Sequence, residues 1–192
     1  MNFKGKTINE PTYDMIKIVE KENDVEISAI QKILLSLRGP ITTPLDALYG
    51  RLKLFVLKQE IEKADESVAD LLDINEGDDV LVREVIVHKN GRPLVYAFSY
   101  IPKERCNDKI LKLLLDEEIT TGLILSENNI ETQRIINNIS IEKPTPILQE
   151  LFNTSEDMLT REYSIIQHGT IRLFTKESYP LSTTAPHTGH TQ

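Results

Sequence analysis

The chain has one cysteine, Cys106, and no tryptophan among its 192 residues. A single thiol excludes an intrachain disulfide and any metal centre built from cysteines. Histidine is scarce too. His88, His168, His187 and His190 show no HExxH-like ligand spacing, and the last two belong to a polar tail. No apolar run approaches the ~20 residues of a membrane span, and the start, MNFKGKTINEP, has no apolar signal core. The expected location is therefore the cytoplasm, with no membrane partner. Basic charge is also in short supply: 22 Lys and Arg against 30 Asp and Glu leave a net charge of -8. That balance argues against a nucleic-acid surface, which concentrates Lys and Arg. A small anion is still allowed, because a pocket needs only one or two Arg.

What is present suits a folded core. With 40% hydrophobic residues, a chain of this length can bury one sizeable core and is expected to form a single domain over 11–181. Residues 1–10 read as a loose arm, and 182–192, nearly free of large apolar residues, as a flexible tail. Apolar spacing predicts helices over 13–21 and 25–37, the second with Ile27, Ile30, Ile33, Leu34 and Leu37 as its stripe, stopped by Gly39-Pro40. Thr43-Pro44 suits the cap and first turn of a short helix ending at Gly50. Leu52 to Ile61 is rich in strand formers, and DESVADLLDINEGD reads as helix then turn, with Val68, Leu71 and Leu72 inward. Asn107 can cap a helix through Leu115, and TTGLILSENN is a short helix or turn. IETQRIINNISIEK alternates as a strand, and Pro144–Phe152 reads as a helix begun by Pro146.

Two segments remain, and they resemble each other. REVIVHKNGRPLVYAFSYIP begins at Arg83, and REYSIIQHGTIRLFTKESYP begins at Arg161. Each opens with Arg-Glu, places Gly eight positions on, and ends in Pro. Asn90-Gly91 between two strand-like runs is a strong hairpin signal, because both central residues of a type I′ turn need positive φ. Hairpins separated by helices favour an antiparallel α+β fold of about six strands over a parallel sheet.

Three polar residues inside this pattern are candidates for chemistry. Residues two apart share a strand face, so Arg83 sits among Leu81, Val85 and Val87. A guanidinium buried there requires an anion, either an internal carboxylate or a ligand carboxylate matching its bidentate fork. Glu177 lies in LFTKESYP. It reads either as half of a charged edge strand with Lys176 or as a partly buried proton donor or acceptor. Arg134 in IETQRI is the third candidate and by itself reads as a surface arginine. Nothing forms a Ser-His-Asp set, a phosphate-binding loop or a GxGxxG turn.

The succession GPITTPLDALYG, VLVREVIVHKNGRPLVYAFSYIP, ITTGLIL, IETQRI and a closing G-x10-P strand resembles the chorismate pyruvate-lyase superfamily over about 30–180. The likeness is to its archaeal and cyanobacterial branch. The ligand-sensing UTRA domains of one repressor family share that fold and a similar hairpin. The resemblance implies a six-stranded antiparallel sheet flanked by helices, with a small cyclic carboxylate enclosed beneath helical flaps. It implies removal of pyruvate from chorismate to leave 4-hydroxybenzoate, without metal or organic cofactor. By the same resemblance, Arg83 grips the ring carboxylate, helped by backbone groups at Ile41 and at Thr121 beside Gly122. An acid in the last strand meets the hydroxyl at the far ring end, and Arg134 is a second carboxylate contact. Counted from the turn glycine, the family's acid falls on Lys176, one residue before Glu177. A one-residue slip turns a side chain to the other face. The HGTIR turn departs from the family's GxP form, which favours a local shift that returns Glu177 to the pocket.

The alternative is a non-catalytic, ligand-sensing domain without its own DNA-binding module. Only about forty residues precede GPITTPL, against ~60–70 for a winged helix-turn-helix. The assembly is expected to be a monomer or a homodimer.

Overall fold

The computed structural model describes residues 11–106, 108–116 and 132–182. Helices α1 (Pro11–Asn23), α2 (Ala29–Ser36) and α3 (Thr42–Tyr49) precede strand β1 (Lys53–Lys63) and helix α4 (Glu66–Leu72). The first hairpin is β2 (Asp79–Lys89) and β3 (Arg92–Pro102), followed by a 3-10 turn and α5 (Asp108–Asp116). Then come β4 (Gln133–Glu142), α6 (Pro146–Phe152) and the second hairpin, β5 (Met158–Gln167) and β6 (Thr170–Pro180). The strands form one antiparallel sheet in the order β1-β2-β3-β6-β5-β4, as expected for the α+β class.

Local chemistry accounts for most boundaries. Ser28 caps α2 reciprocally with Gln31, which starts that helix four residues later than apolar spacing alone predicts. Its buried face is Gln31, Leu34 and Leu35, while Ile33 is exposed. Helix α3 begins at Thr42 rather than at Pro44, with Ile41 as its cap residue, and Gly50 ends it at φ 75°. Asp65 and Thr145 cap α4 and α6 by accepting from the backbone N–H of Val68 and Leu148. Both hairpins turn on a pair of positive-φ residues, Asn90-Gly91 and His168-Gly169.

The halves β1–β2–β3 and β4–β5–β6 repeat one another in register. Arg83 lies opposite Ser99 and Arg161 opposite Glu177; Leu54 lies opposite Val87 and Arg134 opposite Ile165. Each half carries bulges at equivalent places. Leu57 and Asn137 are the extra residues of β1 and β4, and Leu94 and Arg172 those of β3 and β6. The pairing of β3 with β6 centres on Phe98 and Lys176, so a local twofold axis passes between them.

Apolar cores cover both faces. On one, Leu81, Val87, Ile101, Leu159, Ile165 and Leu173 meet Ile16, Val19, Leu34, Leu35 and Leu114 of the helices. On the other, Val68, Ala69 and Leu72 of α4 close over Val80 and Phe174. Truncating a fully buried leucine such as Leu35 or Leu72 would cost about 2–5 kcal/mol. The site lies on the first face.

Candidate functional site

Cross-strand pairing sets two rows of side chains across the middle of that face. One row runs Gln59, Arg83, Ser99, Thr175, Tyr163; the next runs Val85, Ala97, Glu177, Arg161. With Arg134 from β4, and with Pro40, Ile41 and Thr42 as a wall, residues of both rows line a cleft. Its empty space, mouth included, is about 540 Å³.

Arg83 is 2% exposed and donates from Nε to Oε1 of Gln59 at 2.8 Å. Gln59 is itself oriented by donating from Nε2 to the Leu115 carbonyl at 2.9 Å. Burial pushes the Arg83 guanidinium down to about 10 from 12.5, because desolvation disfavours the cation. A bound carboxylate would reverse that penalty.

Glu177 is buried and engaged at both oxygens. Arg161 donates from Nε to Oε2 at 2.7 Å, and the Tyr163 hydroxyl donates to Oε1 at 2.9 Å. Arg161 is fully buried and also donates from Nη1 to the carbonyls of Leu34 and Leu37, at 2.6 and 3.1 Å. Those carbonyls end α2, so Arg161 ties the glutamate to the helix that leads into the Pro40–Thr42 wall. Burial opposes the charge on Arg161, but the adjoining Glu177 carboxylate outweighs it and raises its affinity for the proton. Burial, aided by the same carboxylate, pushes the Tyr163 hydroxyl up, so it is a standing donor.

Arg134 is 6% exposed, and its Cζ lies 4.3 Å from the centre of the Tyr163 ring. Its Nε and Nη1 are buried without a hydrogen-bond partner. Two orphaned N–H donors on a buried cation in a cleft are an unmet demand for an acceptor. Ser99 and Thr175 share a 2.9 Å hydrogen bond on the cleft floor.

The structure brings Ile41, Arg83, Arg134 and Glu177 to one cleft. Glu177 faces it, and Lys176 points to the opposite face, where it pairs with Glu142 and Glu162. The bulge at Arg172 supplies the one-residue shift. Strand β6 is interior, so Lys176-Glu177 is no edge. Arg134 is a buried rather than a surface arginine. Thr121 and Gly122 lie outside the described residues, as do the arm 1–10, most of the tail and the expected cap Asn107. Sequence reasoning assigned no role to Arg161 or Tyr163. The repeat carried the signal: Arg161 is the counterpart of Arg83, and Tyr163 stands where the first copy has Val85.

Among the described residues no group of three or more His, Cys, Asp or Glu is placed to hold a metal ion. No helix among them is long and apolar enough to cross a membrane.

An antiparallel sheet of this order, with a guanidinium-lined cleft between one face and its helices, is a chorismate lyase-like α+β fold, shared with the UTRA domains of bacterial regulators. Residues 35–185 match the family described as Chorismate pyruvate-lyase Rv2949c-like, and the chain belongs to that family. The Methanocaldococcus jannaschii protein MJ0807, provisionally named a lyase, is 33% identical over 143 residues, covering 71% of this chain and 70% of that protein. Two solved structures share the fold at low identity. The ligand-binding domain of a protein assigned to the GntR regulators of Bordetella bronchiseptica has a TM-score of 0.54 and 17% identity, covering 68% of this chain and 83% of that one. The C-terminal domain of the histidine utilization repressor of Pseudomonas syringae has a TM-score of 0.56 and 15% identity, covering 74% and 100%.

Proposed function

We propose that this protein is a lyase that eliminates pyruvate from chorismate and leaves 4-hydroxybenzoate. The observation that carries the reading is charge. Two buried guanidinium groups, Arg83 and Arg134, line the cleft, and Nε and Nη1 of Arg134 have no hydrogen-bond partner there. Two guanidinium groups in one cleft suit a dianion, and chorismate carries two carboxylates. Family membership supports the reaction class.

In this reading Arg83 holds the ring carboxylate with help from the backbone at Ile41. Glu177 accepts from the hydroxyl at the opposite ring end, held for that task by Arg161 and Tyr163. Arg134 turns its two unpartnered N–H groups toward the enolpyruvyl side chain. Arg83 and Arg134 stand four strands apart, roughly 19 Å between backbones, which leaves room for a ring between two long side chains. The carbon–oxygen bond of the enolpyruvyl ether breaks, and its electron pair leaves with the oxygen. The ring carbon bearing the hydroxyl loses a proton, which makes the ring aromatic, and the enolpyruvate methylene gains one to give pyruvate. Every atom of chorismate is in one product or the other. Aromatisation supplies the driving force. The residues supply orientation and stabilise charge on the departing oxygen.

A second reading, a non-catalytic domain that senses small carboxylates, is favoured by the fold shared with ligand-binding domains of regulators. Incubation of the purified protein with chorismate, followed by chromatography, separates the two. Formation of 4-hydroxybenzoate and pyruvate in equal amounts is the expected result. Binding of 4-hydroxybenzoate with no turnover would assign the protein to the sensor class.

A further inference from the structure

The two halves of the sheet differ where the cleft is polar, and the differing residues touch one another. At three equivalent positions the first half carries Leu54, Val85 and Ser99, and the second carries Arg134, Tyr163 and Glu177. The arginines Arg83 and Arg161 are common to both. Val85 is decisive for Tyr163: the strand is built equally well with a small apolar residue there, so the fold alone does not require an aromatic ring or a hydroxyl.

Tyr163 makes two contacts that valine cannot. Its ring lies under the Arg134 guanidinium at 4.3 Å, and its hydroxyl donates to Glu177 Oε1 at 2.9 Å. Arg161 Cζ lies 5.2 Å from the same ring, so the tyrosine sits between two cations. Arg134 has no hydrogen-bond partner at Nε or Nη1, which leaves the ring face as a principal constraint on where those donors point.

Building on the chorismate reading, we infer that Tyr163 is the positioning residue for both ends of the ligand. Its ring aims Arg134 at the side-chain carboxylate, and its hydroxyl aims Glu177 at the ring hydroxyl. The two tasks are separable, because phenylalanine keeps the ring and removes only the hydroxyl.

The test titrates 4-hydroxybenzoate and benzoate by calorimetry, and measures chorismate turnover, in wild type, Tyr163→Phe and Tyr163→Leu. Wild type is expected to prefer 4-hydroxybenzoate over benzoate by about tenfold or more, the worth of one hydrogen bond to a charged group. Tyr163→Phe should reduce that preference below about threefold with benzoate affinity within about threefold of wild type, and should raise the KM for chorismate by no more than the factor lost from the preference. Tyr163→Leu should lose the preference and also raise the KM for chorismate at least about tenfold. Arg134→Leu should reproduce the KM rise while keeping the preference, and it serves in place of Tyr163→Leu should that variant not fold. Phe and Leu variants that behave alike in both measures, or that both match wild type, would overturn the inference alone. Wild-type protein that neither binds 4-hydroxybenzoate nor converts chorismate would overturn the functional reading, and the inference with it.

Discussion

Arg161 and Glu177 face each other across β5 and β6, Nε to Oε2 at 2.7 Å, with side chains 0% and 6% exposed. The equivalent place in the first hairpin pairs Arg83 with Ser99. Across its strand pair one arginine meets a carboxylate and the other a serine. The same framework therefore carries a buried ion pair in one half and a cleft-lining guanidinium in the other.

The ion pair carries the first prediction. Glu177→Ala strands the Arg161 cation in the core and should lower stability by about 3–5 kcal/mol, the cost of breaking one side of a buried pair. Urea unfolding followed by circular dichroism measures it. A loss under about 1 kcal/mol would mean that Arg161 is sustained by the Leu34 and Leu37 carbonyls instead.

Arg83→Ala should weaken 4-hydroxybenzoate binding by about 100-fold or more, in keeping with the loss of a desolvated, charge-assisted contact. Calorimetric titration reads the affinity, and an unchanged melting curve confirms the fold. Affinity within about threefold of wild type would remove Arg83 from the carboxylate site.

Acid should loosen the joint between α1 and α2. Hydrogen bonds from Lys17 and Lys32 hold the Glu20 carboxyl at about 2, below its ordinary 4.5. A carboxyl depressed by folding contributes stability above its unfolded value and loses it as pH falls through the folded one. Glu20→Gln should melt lower than wild type near neutral pH, and the difference should vanish as pH falls from about 4.5 to about 2. A difference that persists at the acid end would place the effect in packing rather than charge.

Cys106 should resist labelling in the folded protein. Burial pushes its thiol up to about 11 from 9.0, so at pH ~8 only about one molecule in a thousand carries the thiolate. Reaction with Ellman's reagent should be about 100-fold slower in buffer than in urea. Equal rates would show that the segment around Cys106 opens freely.

Much of this architecture could be read before the fold was known. Asn90-Gly91, the Gly39-Pro40 stop and the alternation of β4 are local signals, and local signals survive in any context that satisfies them. Other features departed from expectation for reasons that lie outside each segment. Ile33 belongs to an apolar stripe by spacing, yet the sheet is covered by Leu34 and Leu35. Arg134 looks like a surface residue until Tyr163 is placed beneath it.

The chain's residue types by themselves determined the two hairpins, the antiparallel class and the shortage of cationic surface. They also marked Arg83, Arg134 and Glu177 as the groups worth following. Tertiary structure alone decided which of these groups meet. Strand β3 lies beside β6, and Arg134 is packed by Tyr163 of the next strand, beyond α6, and no local periodicity encodes such distant pairings. It also decided which way Glu177 points. The bulge at Arg172 turns the end of β6 by one residue, and without a glycine or proline to mark it, only the pairing of β5 with β6 reveals that the acid faces the cleft and the lysine does not.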